Sequence, residues 1–395
     1  MWLFLIVEFF RSLGWSILTP IISLFIRSLG VTMTELGIIS GGNAFGFLFF
    51  EPLWGVLADK RMKKKILMFS CITAPLTTLS FTMIRGFWPL FFGRFVQGAI
   101  FVGGALASES MAASSYRKGR SFGLLSSTRG LTHLIGPALG GYLAEIDYML
   151  PFYTSTIVSI VAAFLSVWVT EPRCVYEEKE QRKKRLIRLS KTELKDLTVL
   201  CFLTIFSHLL TAIFSSIVPV YAYESPDLSL TELEIGLMFT TSSLAAIPSQ
   251  LLFGELSDRI GRSILITTGM AVDTLSFFLL PLVSDVHQLY LAAALHSIGG
   301  AAVSPLMLAL LAESVSPSLY GIAIAFYSIG IDLGLALGPT VTGYIYQNYG
   351  PALSFNTFAT LMAFGVVYAF VLLRKVEKHP TNHMESITTK KRCNK

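Results

Sequence analysis

Charge is scarce in this chain. Asp, Glu, Lys and Arg make up 14% of its 395 residues, and 53% are hydrophobic, with 30 Phe. A soluble domain carries about a quarter charged residues, so a water-soluble globular protein is excluded. Cysteine is sparse as well. Cys71, Cys174, Cys201 and Cys393 show neither pairing nor ligand spacing, which argues against a disulfide framework or a metal site and leaves unpaired structural thiols. No Gly-Lys-[Ser/Thr] phosphate loop occurs, which argues against an ATP-driven machine. The formal net charge of +6 sits in loops between apolar runs, so nucleic acid is not an expected partner. The first apolar run is long, holds Glu8 and Arg11, and lacks a small-residue cleavage site; it reads as a retained helix and not as a signal peptide. No cofactor is expected.

What is present is a succession of apolar runs. About 20 apolar residues cross a bilayer as a helix. The runs at 2–26, 34–57, 66–84, 87–113, 121–144, 150–170, 198–222, 233–256, 264–284, 287–314, 319–346 and 352–373 predict an all-α membrane protein with twelve transmembrane helices. The expected organisation is a six-helix bundle over 1–172, a charged linker over 173–197, a second six-helix bundle over 198–374 and a basic tail over 375–395. Lys and Arg set the orientation. Only Arg27 and Arg85 fall in loops on one side, and Arg11, Arg94 and Arg129 fall within spans. The rest cluster at 60–65, 117–120, 173–195, 259–262 and 374–395. Basic residues stay in the cytoplasm, so both termini are expected there, with the tail near anionic lipid.

One element occurs twice. Gly55-Val-Leu-Ala-Asp59-Lys60-Arg61 lies between the second and third runs, and Gly254-Glu-Leu-Ser-Asp258-Arg259-Ile-Gly261-Arg262 between the eighth and ninth. A glycine there lets two helices approach closely, the Asp suits a helix N-terminus, and the basic residues stay in water and headgroups. Gly136-Pro137-Ala-Leu-Gly140-Gly141 is answered by Gly338-Pro339-Thr-Val-Thr-Gly343, and Ser108-Glu109-Ser110 by Ala312-Glu313-Ser314. The chain is internally duplicated. The repeated loop resembles the signature loop of the major facilitator superfamily of secondary transporters, whose pattern is Gly-x-Leu-Ala-Asp-Arg-x-Gly-Arg-Lys. The first copy departs from it, with Met62 at the inner Gly and Lys63 at the Arg. The resemblance covers about residues 1–373. It implies two pseudo-symmetric six-helix bundles that rock about a central site, with the loops latching the halves in one state.

Ionisable residues inside spans are costly and mark functional positions. Glu8 and Arg11 are three apart on one helix face with Trp15; they are candidates for proton coupling, or a permanent ion pair. Arg94-Phe-Val-Gln97-Gly98 resembles the family's Arg-x-x-Gln-Gly element, which makes Arg94 and Gln97 candidates for coupling or for the cavity, or for structural hydrogen bonding. Arg129, His133, Gly136 and Gly140 share a face, and His133 reads as a packing residue or a proton carrier. Gly330, Gly334 and Gly338 form a close-packing stripe that leaves Asp332 nearly opposite, toward a cavity. Trp15 and Phe101 offer apolar contact. Glu51, Glu109 and Glu313 are expected to contact the loops, and no role is read for Asp273, His208 or His296.

The Gly-Pro-x-x-Gly-Gly element resembles that of drug:proton antiporters, and Leu13-Gly14-Trp-Ser-Ile-Leu-Thr-Pro20 partly matches a second element of that branch, with Ser23 where another Pro belongs. The expectation is a monomeric plasma-membrane transporter, not an enzyme, that exports amphipathic small molecules in exchange for protons. Coupling would fall to Glu8, Arg11, Arg94 and Asp332; the substrate cavity to Trp15, Gln97, Phe101, Arg129 and His133; and gating to Gly55, Asp59, Arg61, Gly254, Asp258, Arg259, Arg262, Gly136, Pro137, Gly140 and Gly141. The alternative is a proton-coupled or facilitative transporter of a polar solute such as a sugar or organic acid. The near-isolation of Gln97 and Gln250 disfavours a sugar.

Overall fold

The computed structural model describes residues 2–59, 62–115, 118–170, 191–315 and 319–377. Arg61, most of the linker and the tail beyond 377 lie outside them. Among the described residues there is no strand. Fourteen α-helices follow one another: α1 (Trp2–Leu18), α2 (Ile21–Ser28), α3 (Met33–Asp59), α4 (Lys63–Ser80), α5 (Phe87–Ala113), α6 (Lys118–Ile146), α7 (Leu150–Ser166), α8 (Lys191–Ser216), α9 (Val218–Glu224), α10 (Glu232–Ile260), α11 (Arg262–Leu279), α12 (Val286–Ser314), α13 (Tyr320–Tyr349) and α14 (Pro351–Glu377). Eight spans are long and apolar enough to cross a membrane, with α8 and α9 counted together, and the bent pair α1–α2 makes a ninth. This is a multi-pass membrane protein. The other expected spans are less apolar or shorter: α4 opens on three lysines, α6 carries Arg120, Arg129 and His133, and α7 has 17 residues.

Two expected spans are broken. The run at 2–26 bends by 43° between α1 and α2, where Pro20 has no N–H to continue the ladder. The run at 198–222 breaks before Pro219 into α8 and α9. The last residues of the expected linker belong to α8, which starts at Lys191.

The packing repeats. In the first half α1 contacts α6 and α7, α3 contacts α5, and α4 contacts α5 and α7. In the second half α8 contacts α13 and α14, α10 contacts α12, and α11 contacts α12 and α14. The halves meet chiefly along two helix pairs, α3 with α13 and α6 with α10, and α2 also touches α9.

Glycines make those meetings close. A Cβ on Gly37 would strike the Pro339 carbonyl, and one on Gly236 the Pro137 carbonyl. Gly343 lies on the Met33 carbonyl and Gly141 on that of Glu232. These four contacts form two symmetry-like sets, all at the end of the molecule opposite the signature loops. Without side chains between them the backbones approach to Cα–H···O distance. The same end is tied by Arg27 to Glu224 at 2.6 Å and by the Tyr148 hydroxyl to Glu232 at 2.5 Å. Burial, with Glu232 alongside, holds the Tyr148 phenol well above its ordinary pKa, so it stays a donor.

At the signature-loop end, a Cβ built on Gly55 or Gly254 meets no described residue beyond its own stretch of helix within 4 Å, so the described residues show no close approach at either glycine. Asp59 and Asp258 fall in the last turn of α3 and α10, not at a helix N-terminus as expected. The two loops also turn differently. Gly261 alone separates α10 from α11 and adopts φ +91°, a left-handed value that suits glycine. Met62, its counterpart, has φ −102°, and three residues separate α3 from α4.

A Gly140→Ala substitution would drive a methyl onto the Ile17 carbonyl. Overpacking of this kind costs about 1–3 kcal/mol, and the melting temperature in detergent should fall by several degrees. Gly55→Ala, in open space within a helix, should leave it unchanged or raise it.

Candidate functional site

Glu8 is fully buried and lies at the centre of a charge cluster. Arg11 donates to it twice, Nε to Oε2 at 3.0 Å and Nη2 to Oε1 at 2.8 Å. Arg129 of α6 donates from Nε to Oε1 at 2.8 Å, and Ser108 of α5 from Oγ to Oε2 at 2.8 Å. Arg129 reaches on to Glu109 at 2.8 Å. The helix spacing of Glu8 and Arg11 makes the first pair local. The Gly136 and Gly140 contacts with Ser16 and Ile17 bring α6 against α1 and so deliver Arg129. Two arginines and two glutamates thus neutralise each other where an unpaired charge would be costly. Arg129, expected in the substrate cavity, has its guanidinium on Glu8 and Glu109.

Beside this cluster the side chains form a column. The Arg11 guanidinium lies over Phe101 at 4.8 Å, Phe101 stacks on Trp15 at 4.0 Å, and the Arg94 guanidinium lies 5.9 Å from the Trp15 ring. Rings between two cations are favourable through their negative faces. Arg94 Nη1 donates to Gln97 at 2.6 Å, which the three-residue spacing allows. Trp15, Arg94 and Gln97 form one wall of a cavity of about 160 Å³ between the halves, closed on the other side by Ala212, Ser215, Leu335 and Pro339. Phe101 lines only a smaller cavity of about 30 Å³ within the first half. His133 lies on a third, of about 200 Å³, together with His296; its Nδ1 is 3.5 Å from Ser16 Oγ.

Two constellations were not anticipated. Asp332 is buried in α13 and lies beside Glu51 of α3, with Ser328 near them. The glycine stripe Gly330, Gly334 and Gly338 packs on α8, which turns Asp332 toward α3. Glu51, expected to contact the loop, lies beside Ser328 and Asp332 of α13, because α3 packs along α13. The second is Asp273 with His296, Oδ1 to Nδ1 2.7 Å, both buried, the imidazole stacked on Phe214 at 4.3 Å. No local spacing signals either pair, since the partners lie on different helices. His208 bonds the Thr204 carbonyl at 2.9 Å.

Of the gating residues, Arg262 pairs with Glu313 at 2.5 Å, so the second loop does contact the end of α12. Lys63 in the first copy binds the Ser110 carbonyl and the Ser114 hydroxyl at the end of α5. Asp258 and Arg259 are exposed. Pro137 and Gly141 meet α10, while Gly136 and Gly140 meet α1.

This arrangement of repeated packing and paired signature loops has relatives. The Major Facilitator Superfamily profile matches residues 4–229 and again 200–392. The chain belongs to that superfamily. It is 25% identical over 387 residues to the multidrug resistance protein MdtG of Proteus mirabilis (strain HI4320), covering 94% of each chain. It is 24% identical over 384 residues to the multi-drug resistance efflux pump PmrA of Streptococcus pneumoniae serotype 4, covering 94% of this chain and 95% of that one. Among solved structures, a POT family transporter in complex with 5-aminolevulinic acid matches with TM-score 0.78 at 12% identity, over 95% and 96% of the two chains. The nucleoside transporter NupG matches with TM-score 0.73 at 15% identity, over 95% and 98%. At such identity these structures speak to the fold alone.

Glu8→Gln removes the anion that two guanidinium groups share. Breaking a buried pair costs about 3–5 kcal/mol, so this variant should melt well below the parent in detergent. Glu109→Gln, at a position whose side chain is 45% exposed, should change the melting temperature by a degree or two at most.

Proposed function

We propose that the chain is a proton-coupled exporter of amphipathic small organic molecules that works by alternating access. Two pseudo-symmetric six-helix bundles, 1–172 and 198–374, rock about the cavity between them. The linker 173–197 and both termini lie in the cytoplasm, and the protein acts as a monomer in the plasma membrane. The observation that carries this reading is a cavity between the halves that backbone crossings seal at one end. A seal of this kind supports one of two alternating states, here taken to face the cytoplasm. The MdtG and PmrA relatives, multidrug proteins by name, support the substrate class.

Proton coupling is assigned first to Asp332 with Glu51. Two carboxyls brought close together away from bulk water repel when both are ionised, so their proximity favours a proton on one of them. The pair sits between α3 and α13, one in each half, so rocking changes its separation and links proton occupancy to conformation. Glu109 is the further charge near Glu51. Glu8 with Arg11 and Arg129 forms a second charged set beside the cavity, and Arg94 stands over the substrate.

The test uses purified protein in liposomes with an imposed pH gradient. A lipophilic dye should move against the proton gradient, and Asp332→Asn should abolish that response by tenfold or more while leaving dye exchange without a gradient. Movement of sugars or small non-aromatic acids alone, with no amphiphile moved, or a variant with full coupling, would overturn the respective assignment.

A further inference from the structure

The cavity between the halves has a one-sided charge. Among the described residues Arg94 has no carboxylate partner: its one described side-chain hydrogen bond goes to the neutral Gln97, and its Nε has none. The other polar groups on the walls are hydroxyls and an amide, from Thr19, Ser23, Ser40, Asn43, Ser215 and Ser216, set among apolar side chains such as Leu18, Ile22 and Leu335. Among the described residues no Asp or Glu lines this cavity, the smaller one beyond Trp15, or the one holding His133 and His296. The nearby acids are engaged elsewhere: Glu8 and Glu109 with Arg11 and Arg129, Asp332 with Glu51, and Asp273 with His296. Arg94 is half-buried, and a guanidinium within the spans without a counter-charge is costly. It is the group best suited to a planar anion. A lipophilic cation would meet only repulsion there.

We propose that the transported molecules carry an anionic group, a carboxylate in the first instance, that pairs with Arg94 while their aromatic portion packs against Trp15. The site distinguishes anionic and zwitterionic amphiphiles from simple lipophilic cations. Gln97 positions the guanidinium, and the Ser23 hydroxyl, which lines the cavity and has no hydrogen-bond partner among the described residues, can donate to a remaining acceptor. This inference rests on the cavity being the substrate site of a transporter.

The experiment compares three probes of one shape: 2-naphthoate, 2-naphthamide and (2-naphthylmethyl)trimethylammonium. Binding is measured on the full chain in lipid nanodiscs, and gradient-driven movement in liposomes. Naphthoate should bind at least tenfold tighter than the amide and displace the ammonium. Arg94→Gln should erase that order and Arg94→Lys keep part of it. Because a change at Arg94 can unfold the chain, Asn43→Asp provides a second variant. It is isosteric and gives Arg94 an internal carboxylate, so it should abolish the preference for naphthoate with Arg94 in place. Ammonium bound as tightly as naphthoate by the parent, or a naphthoate preference that survives Asn43→Asp, overturns the proposal. Ammonium driven outward by the proton gradient would sink the anion site and leave the exporter standing. Naphthoate bound through Arg94 but driven inward would do the reverse.

Discussion

The structure depends on backbone meeting backbone without side chains between. At Gly37 with Pro339, and at Gly236 with Pro137, the two halves touch carbonyl to α-carbon. In a bilayer there is no hydrophobic drive to hold helices together, since lipid tails are as apolar as leucine. Cohesion then comes from close packing and from polar groups that find partners. Small residues give the first by letting main chains approach within Cα–H···O reach. Because the two crossings are related by the internal duplication, sealing one end is a property of the repeat and not of a special lid. The contacts are also individually weak, so the seal can open and re-form.

The charges follow a second rule. Every ionisable group inside the spans must pair or face water. Glu8 meets this rule with two arginines from two helices, and Asp273 meets it with His296. The arginines that the sequence offers as one set are thereby divided. Arg11 and Arg129 are used to neutralise Glu8, and Arg94 is left to the cavity. The Trp15–Phe101 stack lies between these two electrostatic environments. It touches the neutralised cluster through Arg11 and the unneutralised one through Arg94.

Much of the fold is legible because a membrane span is a local signal. The run at 87–113 coincides with α5 (Phe87–Ala113), and the duplicated loops fall between the helices they were expected to join. The breaks at Pro20 and Pro219 were in plain sight, but a proline inside an apolar run kinks some helices and splits others, and tertiary packing decides which. Side-chain placement was legible where it follows from helical spacing. The stripe at Gly330, Gly334 and Gly338 turns Asp332 away from α8, as its angle on the helix requires. What Asp332 then meets, Glu51, is 281 positions away in sequence, and no periodicity carries that information. Arg129 shows the same limit: its face on α6 was readable, its partner Glu8 was not.

The placement of Glu51 and Asp332 gives the packing rule and the charge rule a common site. The helices that carry this carboxyl pair, α3 and α13, are the ones that make the Gly37–Pro339 crossing. Thr340 of α13 also bonds back to the Gly37 carbonyl at 3.5 Å. A rigid helix pair pivoting at its glycine crossing must alter the spacing at the carboxyls further along. Under the proposed coupling, a proton shared by these carboxyls would be sensitive to any motion at that crossing. The second crossing, α6 with α10, has no such acid pair; it has His133, whose carbonyl accepts from Ser243 at 2.9 Å. The duplication thus repeats the glycine crossing between the halves but leaves the carboxyl pair at one crossing only, and the proposed proton site would break the two-fold repeat at that place.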